Sequence, residues 1–168
     1  MIFVTVGTQL PFERLLETVD QWAKAHPEQK VFAQVGKTQY VPVHFETVVS
    51  MTPNEYDTYL STADVIIGHV GMGTIISGIQ HAKPLVLMPR HADKGEHRND
   101  HQLSTARQFT KFSLVNIADS YEELDRALND LLYNKDTISP DEVLEVSSNL
   151  VARISNFIER DFNGKNTS

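Results

Sequence analysis

Six short apolar runs, at 2–6, 30–35, 46–49, 65–68, 84–88 and 112–116, alternate with longer segments of helical spacing. Several runs are continuous in Val, Ile and Leu, as parallel strands covered on both faces require, because neither face meets water. Between them, Leu15, Leu16, Val19 and Trp22 share one helical stripe, and Leu124, Leu128, Leu131 and Leu132 share another. Thr52-Pro53-Asn54-Glu55 suits a helix start, with Thr52 as N-cap and Pro53 at the first helical position. Strand and helix in alternation predict βαβ units: an α/β fold, a Rossmann-like parallel sheet with helices on both faces. Such sheets bind ligands beyond the carboxyl ends of their strands, so chemistry is sought in the loop after each strand.

The 168 residues fit one domain, expected over 1–162, with 163–168 as a flexible tail. A formal charge of −7 and a pI near 5.4 argue against nucleic acid, which needs a basic face. One diphosphate is compatible with that charge, since a few N–H groups at helix N-termini suffice to hold it. No cysteine is present, so disulfides, thiolate zinc sites and cysteine nucleophiles are excluded. The first apolar run lacks the basic flank and small-residue site of a signal peptide. No stretch approaches the roughly 20 apolar residues that span a bilayer. The expected location is the cytoplasm.

Three loops carry the chemistry. The first, Gly7-Thr8-Gln9, leads from a strand into a helix, where glycine admits a ligand close to the backbone and Thr8 adds a hydroxyl. It matches neither the dinucleotide fingerprint nor the Walker loop. The second runs His69-Val70-Gly71-Met72-Gly73-Thr74 and opens an apolar helix. Its small residues leave room for a pyrophosphate over the helix N-terminus, with His69 and Thr74 as donors. The third is a polar run from His91 to Gln102 suited to sugar hydroxyls. His97 and His101 stand four apart, but without the glutamate of H-E-x-x-H no metal is expected. Each loop also has a purely architectural reading: a tight turn at Gly7, close packing with His69 satisfied in the core, and a solvated third loop.

Six pieces stand in one order: Phe3-Val4-Thr5-Val6-Gly7-Thr8, Pro11-Phe12-Glu13-Arg14-Leu15, Ala33-Gln34-Val35-Gly36, His69-x-Gly71-x-Gly73-Thr74, Lys83-Pro84-x-x-x-x-Pro89-Arg90, and Gly95-Glu96-His97-Arg98-Asn99-Asp100-His101-Gln102. That order resembles the C-terminal domain of glycosyltransferase family 28. Within it, the chain is similar to the small PssE-type catalytic subunits of two-component exopolysaccharide glycosyltransferases. It is also similar to the small subunit of the eukaryotic transferase that adds the second N-acetylglucosamine to dolichol diphosphate. The resemblance implies the donor-binding half of a GT-B enzyme. Gly7, Thr8, His69, Gly71, Met72, Gly73 and Thr74 would hold the donor diphosphate. Glu96, Asn99, Asp100, His101 and Gln102 would lie at the transferred sugar. Ser77 stands where many relatives carry a carboxylate that binds ribose.

The implied function is inverting transfer from a UDP-sugar to a lipid-linked saccharide in polysaccharide biosynthesis, with no metal cofactor. The other GT-B half would be a separate, membrane-associated, acceptor-binding subunit that supplies the general base and recruits this chain to the membrane. The final helix, 141–160, is a candidate docking element, and the isolated chain could form a homodimer over the same surface. Two rival readings are a non-catalytic nucleotide-sugar-binding or regulatory module, and a sugar-nucleotide epimerase or hydrolase.

Overall fold

The computed structural model describes residues 1–98, 102, 106, 109 and 113–133. Among these lie six strands and four helices, in the order β1 (Ile2–Thr5), α1 (Glu13–Ala25), β2 (Val31–Gln34), β3 (Glu46–Val48), α2 (Pro53–Thr62), β4 (Val65–His69), α3 (Met72–Gln80), β5 (Leu85–Met88), β6 (Val115–Ile117) and α4 (Tyr121–Tyr133). Gln102, Ala106 and Phe109 are helical.

All strand pairs are parallel, in the order β3-β2-β1-β4-β5-β6. Successive residues point to opposite faces, so one strand feeds two cores. Ile2, Val4 and Val6 join Leu15, Leu16, Val19 and Trp22 of α1 and Leu124 and Leu128 of α4. Phe3, Phe32 and Ile66 join Leu60 of α2 and Ile75 and Ile79 of α3 on the other face. This is the Rossmann-like sheet that the apolar runs predict. Each fully buried Leu, Ile or Phe contributes about 1.5–3 kcal/mol against its exposed state.

Helix starts and ends follow local chemistry. Thr52 accepts from the Glu55 backbone N–H, and the Glu55 carboxylate accepts from the Thr52 N–H at 2.8 Å, a complete capping box with Pro53 in the first turn. Close approach of α3 to β5 needs Gly78, where a Cβ would stand 2.4 Å from a Leu85 methyl.

β1, β2, β3 and β5 are one or two residues shorter than the apolar runs, and the other two strands differ in kind. β4 runs one residue further, pairing His69 with Met88. The last strand is Val115–Ile117 instead of 112–116: Leu114 lies in a turn, its carbonyl accepting from Leu85 N–H at 2.7 Å, yet it is fully buried. An apolar run reports burial, and buried turns carry it as well as strands do. Phe112 and the expected final helix and tail lie outside the described residues.

Candidate functional site

Because β1 lies between β2 and β4, the chain winds outward in both directions from the β1–β4 pair. The loops leaving those two strands therefore diverge and open a crevice, the position where this class of sheet binds ligands. A cavity of about 650 Å³ occupies it. Gly7, Thr8, His69, Gly71, Met72, Gly73, Thr74, Ser77 and Gln102 all line this cavity. Glu96 does not, and Asn99, Asp100 and His101 lie outside the described residues.

His69 is at the end of β4, its imidazole wedged between two glycines. A Cβ on Gly7 would meet its Cε1 at 2.7 Å, and one on Gly71 its Nε2 at 2.2 Å. Gly7 also has φ +80°, a left-handed conformation that side chains resist. Both glycines thus make room for the ring. Burial, with the nearby charges of Arg90 and His97 adding to it, lowers the His69 pKa to about 4. The ring is neutral at pH 7 and carries one N–H. Its Nδ1 is buried without a hydrogen-bond partner. Within the protein, then, the ring is not satisfied at Nδ1. An unmet buried polar atom costs about 1–3 kcal/mol, which a suitable ligand would recover.

Beside it, α3 starts at Met72 behind Gly71, which as N-cap offers no side chain, leaving the first-turn N–H groups at the cavity. Gly73 faces open space, and a Cβ placed there would meet nothing within 4 Å. Thr74 is 5% exposed. Gln102 is oriented by its Oε1, which accepts from the Arg90 backbone N–H at 3.1 Å, leaving its NH₂ group as donor.

The floor and walls also hold residues that were not among the expected ligand contacts. Thr5 donates to Gln34 Oε1 at 2.9 Å, while Gln34 Nε2 donates to the Gly7 and Val49 carbonyls, both at 3.2 Å. Burial raises the Tyr56 phenol pKa, opposed by hydrogen bonds with the Thr5 and Thr74 hydroxyls. Ser50, Met51 and Pro53 close one wall and Arg90 another. Tyr56 belongs to an aromatic helix stripe and Gln34 to an apolar strand, so neither carries a loop signal. Arg90 follows β5 directly, and that position was its available signal.

Glu96, expected at the transferred sugar, stands outside the cavity lining and is held by Arg14. Arg14 grips both its oxygens, Nε to Oε1 at 2.7 Å and Nη2 to Oε2 at 2.9 Å, and the His91 backbone N–H donates to Oε2. Burial would raise the Glu96 pKa, but these partners outweigh it and hold the carboxyl below its ordinary value. Arg14 also donates to Asp119 at 2.7 Å, and His91 Nε2 lies 2.7 Å from the same carboxylate. This network ties the third loop to α1 and to the turn before α4.

Among the described residues no group of three or more His, Asp or Glu side chains could hold a metal ion. Nor is any helix there long and apolar enough to cross a membrane.

The glycosyltransferase family 28 C-terminal domain model matches residues 1–153. The UDP-N-acetylglucosamine transferase subunit ALG13 of Candida albicans is 38% identical over 79 residues, 47% of this chain and 25% of that protein. The human subunit of the same name is 31% identical over 121 residues, 66% of this chain and 10% of that protein. The chain thus spans a quarter or less of the length of these curated relatives. Among solved structures, the glycotransferase of kitacinnamycin superposes with a TM-score of 0.65 at 20% identity, covering 95% of this chain and 42% of that one. An ALG13 solution structure gives 0.59 at 17% identity, covering 83% of this chain and 87% of that one. These likenesses show a shared fold, that of one half of a GT-B glycosyltransferase. With more than half of its length matched by the family model, the chain belongs to the glycosyltransferase family 28 C-terminal domain family.

Proposed function

We propose that this chain is the donor-binding subunit of a UDP-sugar-dependent, inverting glycosyltransferase. The observation that carries the reading is the partnerless Nδ1 of His69 beside the uncapped N-terminus of α3, in the crevice between β1 and β4. Neutral imidazole and helix N–H groups together suit a diphosphate. The names of the relatives, UDP-N-acetylglucosamine transferase subunits, support a UDP-sugar donor and a subunit role.

In this reading Gly7, Thr8, His69, Gly71, Met72, Gly73 and Thr74 hold the diphosphate, Ser77 meets ribose, and Gln102 meets the sugar with Asn99, Asp100 and His101 near it. An acceptor hydroxyl oxygen bonds to the anomeric carbon as the bond to the β-phosphate oxygen breaks. The hydroxyl proton passes to a base, and UDP leaves with its charge stabilised by the α3 N–H groups and His69. Such donors supply charge stabilisation without a metal, and activity is expected to survive chelation. No Asp or Glu lines the cavity among the described residues, which supports a base supplied by another protein. That protein is a membrane-associated subunit that binds a lipid-linked saccharide in polysaccharide biosynthesis. It would hold this otherwise cytoplasmic chain at the membrane. Without it, the chain is expected to pair with a second copy.

The test is calorimetric titration of the purified chain with UDP, and with ADP as control, in the absence of added metal. Saturable UDP binding that weakens at least about tenfold in His69→Ala and Thr74→Ala supports the reading. Equal affinity for UDP in both variants would remove the diphosphate assignment.

A further inference from the structure

Arg90 is 3% exposed, yet no carboxylate lies within ion-pair distance of it among the described residues. Its partners are backbone carbonyls instead. Nη1 donates to Pro11 O at 2.6 Å and to Glu96 O at 3.3 Å, and Nη2 to Val6 O and Leu10 O, both at 2.9 Å. The guanidinium carbon stands 4.4 Å from the centre of the Phe12 ring. One side chain thus fastens both ends of the loop that leaves β1.

That fastening brackets the loop, with the Val6 carbonyl on one side and the Leu10 and Pro11 carbonyls on the other all held by Arg90. The Gly7 carbonyl is held by Gln34 instead, and since the N–H of a trans peptide points opposite to its C=O, the Thr8 N–H faces away from Gln34. The Thr8, Gln9 and Leu10 N–H groups have no acceptor among the described residues. Thr8, Gln9 and Leu10 are exposed and line the cavity.

Stability alone does not explain a buried guanidinium with no carboxylate in ion-pair contact among the described residues: burial lowers its pKa to about 10, and the Glu96 charge offsets that only in part. Burying a charge costs several kcal/mol, and an apolar side chain of similar volume would fill the space without that cost. The charge also reaches the cavity, where it is one of the influences disfavouring protonation of His69.

We propose that Arg90 is a positioning residue for an anionic ligand: it pins both ends of the loop after β1, whose middle lines the cavity, and it lends the cavity positive charge. The proposal rests on the donor-binding reading and adds to it a residue that acts from behind the loop. A lysine keeps the charge but has no planar fork to hold several carbonyls at once.

The experiment compares wild type with Arg90→Lys and Arg90→Gln in the whole chain, with folding checked by thermal melting. UDP, UMP and uridine are titrated by calorimetry, and backbone NMR order parameters are measured at Thr8, Gln9 and Leu10. Arg90→Lys is expected to lose UDP affinity about tenfold, with uridine affinity held within about twofold and lower order parameters in the loop. Arg90→Gln is expected to lose more for UDP than for UMP, and least for uridine. Unchanged UDP affinity and order parameters in Arg90→Lys would overturn the proposal, as would equal losses for UDP and uridine, the mark of a merely structural residue. If wild type binds none of the three, the donor-binding reading fails separately. The order parameters then decide the clamp: unchanged values in Arg90→Lys overturn it, and lower values support it.

Discussion

His69 shows how one residue can be placed at an energetic cost. Its ring fits only because Gly7 and Gly71 lack side chains, and its buried Nδ1 has no partner. With a folded pKa of about 4 against an ordinary 6.5, the unfolded chain binds more protons between those values. Stability from this residue is therefore complete above pH 6.5 and is lost as pH falls towards 4, by up to about 3 kcal/mol. Denaturant midpoints across that range should fall less steeply in His69→Gln than in wild type, and parallel curves would contradict the shift. The glycines give a second contrast. Gly71→Ala displaces the imidazole and should cost both melting temperature and UDP affinity. Gly73→Ala adds a methyl into open space, so the melting temperature should hold or rise while UDP affinity falls. Unchanged binding in Gly73→Ala would mean that no diphosphate lies over α3.

Between elements, the Arg14 network joins α1, the loop after β5 and the turn before α4 through Glu96, Asp119 and His91. Burial opposes the Arg14 charge, but its hydrogen bonds to Glu96 and Asp119 raise its pKa overall, so the fork stays ionised. Glu96→Gln leaves the guanidinium half-buried with one charged partner fewer. A loss of about 2 kcal/mol in unfolding free energy is expected, measured by urea denaturation. A sugar ligand would behave in the opposite way, raising KM with stability intact, so the two measurements together decide what Glu96 does. The same loop carries Arg90 and precedes Gln102, so Arg14 and Arg90 hold it from two sides.

For the whole molecule, the test is turnover. Mixed with its cognate acceptor-binding subunit, the chain should transfer sugar from a UDP-sugar, and Gln102→Ala should reduce that rate by about tenfold or more. A binding module would show UDP affinity without turnover. An epimerase or hydrolase would change or cleave the donor with no acceptor present. The sequence by itself determined the class of fold and where to look for a site. Continuous apolar runs such as Val65-Ile66-Ile67 admit little but buried parallel strands, and small residues after a strand leave little but a turn into a helix. Those are local properties, set by hydrophobic burial and by glycine's backbone freedom. Tertiary structure alone decided which loops meet. Strand order sets the Gly7 loop against His69, far along the chain, and brings Arg90 back onto carbonyls about 80 residues earlier. It also gave Glu96 to Arg14, leaving no carboxylate at the cavity among the described residues. Hydrogen bonds at such separation depend on packing, and packing leaves no periodic trace in the sequence.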